Sequence, residues 1–290
     1  NLFISTYYGA DNFYSKSLQQ DNTSKIGRGW NNITQLIRWN NFSFNKTIIN
    51  TSIAFTRFQY LSYNSAKIKS TNYNFYKAYK SGIDEFISKV DINYSLNYFW
   101  MINYGIFYSY RMHNLGLNVI DNIVKSEKGE KLHSEEYGNY IENEFKSDIM
   151  EANFGIRIER YTGKNQSFNN ILPRVYFVFL PKKSLSYSIS YDKTSQYLQL
   201  VSNTNIGFPN DLWIPIYENF KPLSAEQYSA GIKYSFGKYV FTAEAFYKKM
   251  KEVVDYRDGV ILREQYNDWN ELLTAGTGRS YGLEIMIEKN

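Results

Sequence analysis

The feature that most constrains the fold is an alternation of polar and apolar side chains with a period of two residues. It is clearest in residues 184–191, where four serines interleave with leucine, isoleucine and two tyrosines. Residues 90–97, 151–159 and 281–288 follow the same rule. Successive side chains of a β-strand point to opposite faces of a sheet, so each segment is predicted to be a strand with one polar and one apolar face. In a helix, the same carboxylates and amides would be scattered around every face.

Extending this pattern along the chain predicts about twelve strands. A tilted strand needs about 9 to 11 residues to cross a bilayer, and most of the predicted strands are at least that long. Their approximate bounds are 1–9, 30–40, 46–61, 83–96, 100–112, 135–146, 149–161, 170–180, 184–193, 222–236, 239–255 and 277–290.

The connections between these strands alternate in length. Short turns are predicted near 41–45, 97–99, 147–148, 181–183 and 237–238. Longer excursions are predicted at 10–29, 62–82, 113–134, 162–169, 194–221 and 256–276. Tight turns on one rim and large loops on the other are typical of an outer-membrane barrel. The sequence therefore predicts an all-β fold, an antiparallel up-and-down transmembrane β-barrel.

Composition agrees with this prediction and excludes other classes. The chain contains 28 tyrosines, 20 phenylalanines and five tryptophans, yet its mean hydropathy is −0.49. Averaging a lipid-facing apolar row with a polar row produces this combination. The longest apolar run, Val175 to Leu180, is far shorter than the ~18 residues of a spanning helix. A net charge of +5 is too small to indicate a nucleic-acid partner.

The sequence offers little for catalysis or metal binding. It has no cysteine, and its two histidines, His113 and His133, flank one predicted loop at a separation that fits no compact ligand motif. We therefore predict a solvated polar loop, no metal site and no cofactor. An outer-membrane phospholipase would need a histidine beside a nucleophilic serine, and neither histidine adjoins an obvious one within a predicted strand. An enzyme is not expected, and a non-transporting adhesion barrel is the other alternative.

Seven short segments after Tyr191 carry a family resemblance. They are Ser195–Leu198 (SQYL), Asn205–Pro215 (NIGFPNDLWIP), Lys221–Pro222 (KP), Ala225–Tyr228 (AEQY), Phe246–Met250 (FYKKM), Asp255–Gly259 (DYRDG) and Gly276–Glu284 (GTGRSYGLE). In this order and spacing they resemble TonB-dependent outer-membrane receptors, including SusC-like importers and siderophore receptors. The rest of the chain is similar in its barrel pattern alone.

The resemblance implies a closed barrel of 22 strands, filled by an N-terminal plug domain that the TonB complex pulls. Residues 1–290 are then expected to form a single, incomplete domain, about half of the barrel and without the plug. The implied function is to bind a scarce nutrient (a siderophore, haem, vitamin or glycan) and to import it across the Gram-negative outer membrane. The implied partners are outer-membrane lipid, the plug, the missing barrel strands, the TonB complex, an accessory surface lipoprotein and a small-molecule or glycan ligand.

Two sets of candidate site residues follow from this interpretation. Polar residues opposite the apolar rows are predicted to face the plug or the lumen: Asp91, Asn93, Glu151, Arg157, Glu159, Lys233, Glu244 and Glu284. Aromatic residues in or beside the predicted external loops are predicted to contact the ligand: Tyr7, Tyr8, Tyr14, Tyr197, Phe208, Trp213 and Tyr217. Aromatic faces stack on sugar rings or planar chelates and bury a large apolar area.

Overall fold

The computed structural model describes residues 1–19, 22–69, 73–121, 125–127, 131–203, 210–216, 219–257 and 273–289. These residues are almost entirely in β-strands. The strands are β1 (Leu2–Gln19), β2 (Asn22–Phe44), β3 (Thr47–Ile68), β4 (Tyr73–Ser95), β5 (Trp100–Asp121), β6 (Lys125–Glu127), β7 (Lys131–Lys146), β8 (Met150–Gly163), β9 (Gln166–Lys182), β10 (Leu185–Gln196), β11 (Leu198–Asn203), β12 (Asn210–Pro215), β13 (Leu223–Phe236), β14 (Tyr239–Tyr256) and β15 (Leu273–Lys289).

Twelve of the strands form one barrel-like antiparallel sheet in which each strand pairs with the next long strand along the chain. The order is β1-β2-β3-β4-β5-β7-β8-β9-β10-β13-β14-β15, and β6 pairs with β5. Strands β11 and β12 form a separate hairpin between β10 and β13. Among the described residues, β1 and β15 each pair on one side alone. The predicted all-β, up-and-down antiparallel fold is confirmed.

The short turns lie where the sequence predicts them. The turn between β2 and β3 places Lys46 at φ 64°, and the turn between β13 and β14 places Gly237 at φ 58°. Both are two-residue connections, and Gly237 stands at the first central position, where a type II′ turn requires a positive φ. All five short turns thus lie on one rim of the sheet.

Three of the predicted long loops are mostly strand in the structure, whereas most of the loop predicted at 256–276 lies outside the described residues. Strands β1 and β2 cover most of residues 10–29, and β3 and β4 cover most of 62–82. The predicted loop at 162–169 reduces to a two-residue turn at Lys164–Asn165. These parts of the strands have no consistently apolar face, so the alternation of polar and apolar side chains ends there. The backbone hydrogen bonds between the strands nevertheless continue. Periodicity in side chains therefore underestimates the strand length.

The pairing register gives the sheet an outer and an inner face of different chemistry. One outer row, the tyrosine row, crosses β10, β13, β14 and β15 and consists of directly opposed tyrosines: Tyr191, Tyr228, Tyr247 and Tyr281. The next outer row away from the short turns, the charged row, consists of Lys193, Glu226, Lys249 and Arg279. The outer face thus changes from aromatic to charged within two residues, on four strands at the same level.

Between the short turns and the tyrosine row, the outer face is apolar. On β13 it carries tyrosine, alanine, isoleucine and phenylalanine over residues 228–236, and on β14 a similar set over 239–247. On β4 this apolar band ends at Phe86, opposite Tyr110 on β5, and the next outer residue of β4 is Asp84. A tilted nine-residue stretch rises roughly 20 to 25 Å, close to the height of the lipid-facing band of outer-membrane barrels.

The side chains of the apolar band are exposed in the chain itself. Ile232 exposes 40%, Leu283 66% and Ile285 71% of the side-chain surface available to them. A soluble antiparallel sheet buries its apolar face, and exposed apolar areas of this extent mark contact with a partner or a membrane. No helix among the described residues is long and apolar enough to cross a membrane.

The pairing is regular within the apolar band. Register shifts occur at Asn41/Phe44, Lys80/Gly82, Leu185/Tyr187 and Lys251/Val253. The first and third lie beside short turns, and the other two lie beyond the far margin of the band. Because a bulge leaves backbone groups outside the ladder, these positions are where water can satisfy them.

On the inner face, aromatic rings lie over glycines on the neighbouring strand. Tyr140 on β7 covers Gly105 on β5, and its hydroxyl donates a hydrogen bond to Asp91 Oδ1 at 2.5 Å. A Cβ atom at Gly105 would overlap the Tyr140 ring and lie 2.7 Å from the same carboxylate oxygen. The glycine therefore provides the space that sets the position of the ring.

We predict that Gly105→Ala destabilises the barrel by about 1 to 3 kcal/mol, because Tyr140 must shift and its bond to Asp91 is lost. The matched control is Gly276→Ala, since nothing lies within 4 Å of a Cβ at that position. The measurement is the free energy of unfolding in urea of the receptor containing this chain, reconstituted in lipid. Equal stability of the two variants would contradict the prediction.

Candidate functional site

A ladder of ion pairs crosses the inner face from β4 to β8. Arg111 lies between Glu85 and Glu136, with N–O distances of 2.6 and 2.8 Å. Arg157 extends this charge ladder from Glu136 at 3.4 Å to Glu159 at 2.7 Å. Buried charges are costly unless they are paired and hydrogen-bonded. The alternation of signs meets that condition and ties four strands together.

A chain of amide hydrogen bonds crosses the same face nearer to the short turns. Asn50 Nδ2 donates to Asn93 Oδ1 at 3.3 Å, and Asn93 Nδ2 donates to Asn103 Oδ1 at 2.5 Å. Asn103 Nδ2 then donates to Glu144 Oε1 at 2.5 Å. Asn93 and Asn103 each accept on one side and donate on the other, so this amide chain joins β3, β4, β5 and β7.

Tyr197, which follows β10, covers the upper end of the charge ladder. Its hydroxyl donates to Glu159 Oε1 at 2.9 Å and accepts from Asn170 Nδ2 at 2.7 Å. Its ring stacks on Tyr161, with centroids 4.6 Å apart and planes 4° apart, and Ile216 packs against both rings. Burial raises the pKa of Tyr197, so the phenol stays protonated and continues to donate.

The hairpin of β11 and β12 is attached to β14 by one side chain. Gln199 Nε2 donates to the carbonyl oxygen of Glu252 at 3.0 Å, and Gln199 Oε1 accepts from the backbone N–H of Val254 at 2.9 Å. Glu252 has a φ of 59° and is the extra residue where the register between β14 and β15 shifts. The glutamine amide thus hydrogen-bonds to the backbone of the bulge residue and to that of Val254, two residues further on.

Apolar side chains support this attachment. Val201 and Ile214 of the hairpin pack with Phe220, Val254 and Leu273 in one buried cluster. Strand β11 lies against β14, and β12 approaches β5. The hairpin therefore contacts two strands that lie far apart in the order of the sheet.

The histidines do not lie in a solvated loop, and that expectation is wrong. His113 is on β5, three residues beyond the apolar band, and 1% exposed; His133 is on β7. His113 Nε2 lies 3.0 Å from Ser134 Oγ, and no described residue bonds Nδ1. Burial, together with nearby Arg111 and His133, lowers the pKa of His113 to about 3, so the ring is neutral. Both histidines are strand residues because the backbone pairing of β5 with β7 continues beyond the residues whose polar and apolar side chains alternate.

This serine and histidine do not have the arrangement of a hydrolase. Catalytic triads require an acid that orients the histidine and a serine that the substrate can reach. Ser134 is 3% exposed, and among the described residues no carboxylate contacts His113 Nδ1. The same part of the chain holds no group of three or more histidine, aspartate or glutamate side chains placed to bind a metal ion.

The eight residues predicted to face a plug or lumen all lie on the inner face by register. Asp91, Asn93, Arg157 and Glu159 belong to the hydrogen-bond networks described above. Glu151 bonds Lys146 at 2.7 Å, whereas Lys233, Glu244 and Glu284 are exposed. Glu244 and Glu284 are directly opposed on β14 and β15. Their contact with a plug stays a prediction.

The structure does not gather the predicted ligand-contacting aromatics at one surface. Tyr7 lies on the inner face of β1 by register, whereas Tyr8 and Tyr14 lie on the outer face. Tyr197 is 4% exposed, and Trp213 pairs with Leu200 in the hairpin register. Phe208 and Tyr217 lie outside the described residues. A ligand role for this set remains a prediction.

Sequence reasoning missed several members of the networks. Glu85, Arg111, Glu136 and Tyr140 lie within predicted strands, and the parity that identified Asp91 and Arg157 would have placed them on the same face. Their contacts across the sheet depend on register, which short turns fix but alternation alone does not. Gln199 carried no signal, because its partners are backbone atoms of a bulge more than fifty residues away.

This architecture matches a known protein family and several solved structures. The family model described as "TonB dependent receptor-like, beta-barrel" matches residues 2–288. A search of curated proteins gave no match.

Several solved structures share the fold at low sequence identity. The copper transporter OprC matches with a TM-score of 0.65 and 10% identity, over 97% of this chain and 50% of its own. The ferric-catecholate import receptor Fiu from E. coli K12 gives 0.57 and 12%, over 93% and 46%. The FrpB iron transporter from Neisseria meningitidis gives 0.52 and 14%, over 93% and 49%.

The chain thus spans about half the length of these solved structures. The family consists of outer-membrane receptors and transporters rather than enzymes, which confirms the expectation that the chain is not an enzyme. The family model covers almost every residue of the chain, and the sheet has the up-and-down order typical of an outer-membrane barrel. The chain belongs to the family of TonB-dependent receptor-like β-barrels.

Proposed function

We propose that this chain forms part of the barrel wall of an outer-membrane receptor that binds a scarce nutrient and imports it with energy from the inner membrane. The observation that carries the proposal is the apolar band opposite a polar inner face, in a chain whose family model covers residues 2–288. A lipid-facing band and a water-facing or plug-facing interior are what a large barrel requires.

The remainder of the wall and the plug belong, in this proposal, to further sequence of the same receptor or to a second chain. Strands β1 and β15 each carry one row of backbone groups that no described strand pairs. In hydrocarbon each unpaired group costs several kcal/mol, so added strands must close the sheet. The solved structures of the same fold, about twice as long as this chain, support that reading.

The inner face supplies the contacts for the plug. Glu244 and Glu284 are exposed and directly opposed, which is unfavourable for like charges without a cation between them. A basic side chain of a plug would relieve this repulsion. Arg157 and Glu159, by contrast, are already paired within the wall and hold its shape.

The proposed nutrient is a metal chelate of the siderophore class, with haem, a vitamin or a glycan as alternatives. The support is that solved structures of similar fold include an iron transporter, a copper transporter and a ferric-catecholate import receptor. Trp213 on β12 and Tyr7 on the inner face of β1 remain proposed aromatic contacts, as do Phe208 and Tyr217, which lie outside the described residues. The TonB complex, acting through the plug, remains a proposed partner. A surface lipoprotein at the external opening of the barrel is the other.

Membrane placement predicts a depth-dependent cost for charge on the outer face. Ile232→Arg, in the middle of the apolar band on β13, is expected to destabilise the folded receptor by about 2 to 4 kcal/mol. Glu226→Arg on the same strand and face, in the charged row, is expected to cost no more than about 1 kcal/mol, including repulsion by the opposed Lys193 and Lys249. The measurement is unfolding equilibrium in phospholipid vesicles. A cost that does not differ between the two sites would refute a lipid-facing band.

The two faces are distinguishable by spin labels, because the chain has no cysteine of its own. Labels on Phe154→Cys and Ile189→Cys are expected to collide mainly with oxygen dissolved in lipid. Labels on Glu244→Cys and Glu284→Cys are expected to be shielded from lipid and to respond to a water-soluble nickel chelate when the plug is absent. The opposite accessibilities would invert the face assignment.

Energised import predicts that uptake requires both this chain and the inner-membrane complex. Cells carrying the receptor should accumulate one member of a panel of radiolabelled ferric siderophores, haem, cobalamin and oligosaccharides. Accumulation is expected to stop when TonB is deleted or a protonophore is added, whereas binding to the cell surface continues. Uptake that persists without TonB would indicate a passive pore, and no uptake of any member would refute the importer proposal.

A further inference from the structure

A concave groove lies on the outer face of β1 to β5 and β7, beyond the apolar band. Its central row runs directly across six strands: Ala10, Asn31, Gln59, Gly82, Asn114 and Lys131. The row nearer to the band includes Arg57 and Asp84, and the row further from it includes Lys80. This outer groove encloses about 540 Å³.

The groove is concave because small residues alternate with long ones. Gly82 has no side chain, and a Cβ there would lie 2.8 Å from the carbonyl oxygen of Phe58. Ala10 occupies the same row on β1, and Asn12 folds over Gly29 in the next. The floor is therefore backbone and amide, and longer side chains such as Tyr8 and Met112 form its wall.

The groove has an excess of positive charge. Asp84 accepts both hydrogen bonds of the Arg57 guanidinium, at 2.7 Å each, which neutralises that carboxylate. Lys80 and Lys131 are exposed at the upper side, and neither forms an ion pair within the part of the chain that the structure describes. Amide side chains of Asn31 and Asn114 add hydrogen-bond donors and acceptors beside the two ammonium groups.

The position of the groove identifies the chemistry that meets it. Asp84 is two residues and Lys80 six residues beyond the last band residue on β4, Phe86, which places the groove about 5 to 15 Å above the hydrocarbon. At that level an outer-face surface touches the headgroups of the outer leaflet. Basic pockets at headgroup level bind anionic headgroups.

We infer that the outer groove binds the phosphorylated sugar headgroup of a glycolipid in the outer leaflet. Lys80 and Lys131 bind phosphate, the amides bind sugar hydroxyls, and Tyr8 and Met112 contact the proximal apolar part of the lipid. The volume fits a headgroup of several rings. The inference rests on the proposed membrane placement, but not on which nutrient is imported.

The test is binding of purified phosphorylated glycolipid to the intact receptor in mild detergent, followed by native mass spectrometry and titration. Lys80→Gln combined with Lys131→Gln is expected to lower affinity roughly 30-fold. Ala10→Phe, which fills the groove without changing charge, is expected to lower it as well. The matched control, Lys193→Gln with Lys249→Gln, removes two cations from the charged row outside the groove and is expected to change affinity less than about threefold.

Unchanged affinity in the first two variants overturns the inference. An equal loss in the control variant also overturns it, because attraction would then belong to the whole charged belt. Competition by inorganic phosphate as strong as by the glycolipid would reveal a free-phosphate site instead. Resistance to unfolding in cold detergent verifies that each variant is folded. Failure of the importer proposal would appear in the uptake assay, and failure of membrane placement in the Ile232→Arg comparison, so the outcomes are separable.

Discussion

Backbone hydrogen bonding between neighbouring strands is the interaction on which the rest of this structure depends. Each N–H and C=O within hydrocarbon must find a partner in the next strand, since water is absent. Strand order, strand length and register follow from that requirement. Side chains then take alternate faces by geometry, and the sequence needs to supply one apolar and one polar row per strand. Among the described residues β1 and β15 pair on one side alone, so under the proposed membrane placement the same requirement calls for further strands there.

The two faces are stabilised in different ways. The outer face relies on removal of apolar side chains from water, so any apolar residue of suitable size serves at most positions. The inner face relies on specific partners, such as Arg111 between two glutamates and Tyr140 over Gly105. Substitutions should therefore be tolerated better at Ile232 or Leu283 than at Arg111, provided that they stay apolar. The outer face therefore tolerates many apolar side chains, whereas the inner face requires particular ones.

The sequence predicts the membrane part of this fold well and the external part poorly. Within the band, alternation identifies strands and faces, and the parity that placed Asp91, Arg157 and Glu284 on the inner face agrees with the observed register. Beyond the band, no consistent apolar row exists, so residues such as Lys16 and Lys25 looked like loop although they pair in β1 and β2. Contacts that join distant segments to backbone atoms, as Gln199 does, have no signature in residue type. Burial of His113 likewise depends on the packing of neighbouring strands, which a single sequence does not specify.

The extra residue at Glu252 divides β14 into two sections with independent phase. A one-residue insertion or deletion in a strand normally moves every following side chain to the opposite face. In β14 the extra residue, Glu252, forms a bulge beyond the edge of the apolar band. Gln199 hydrogen-bonds to the backbone at this bulge. Changes of length above Glu252 leave the lipid-facing residues of 239–247 where they are. The strand ends at the opening of such a barrel can therefore change in evolution while the apolar band stays constant. The bulge makes this possible because length changes beyond it do not alter which band residues face outward.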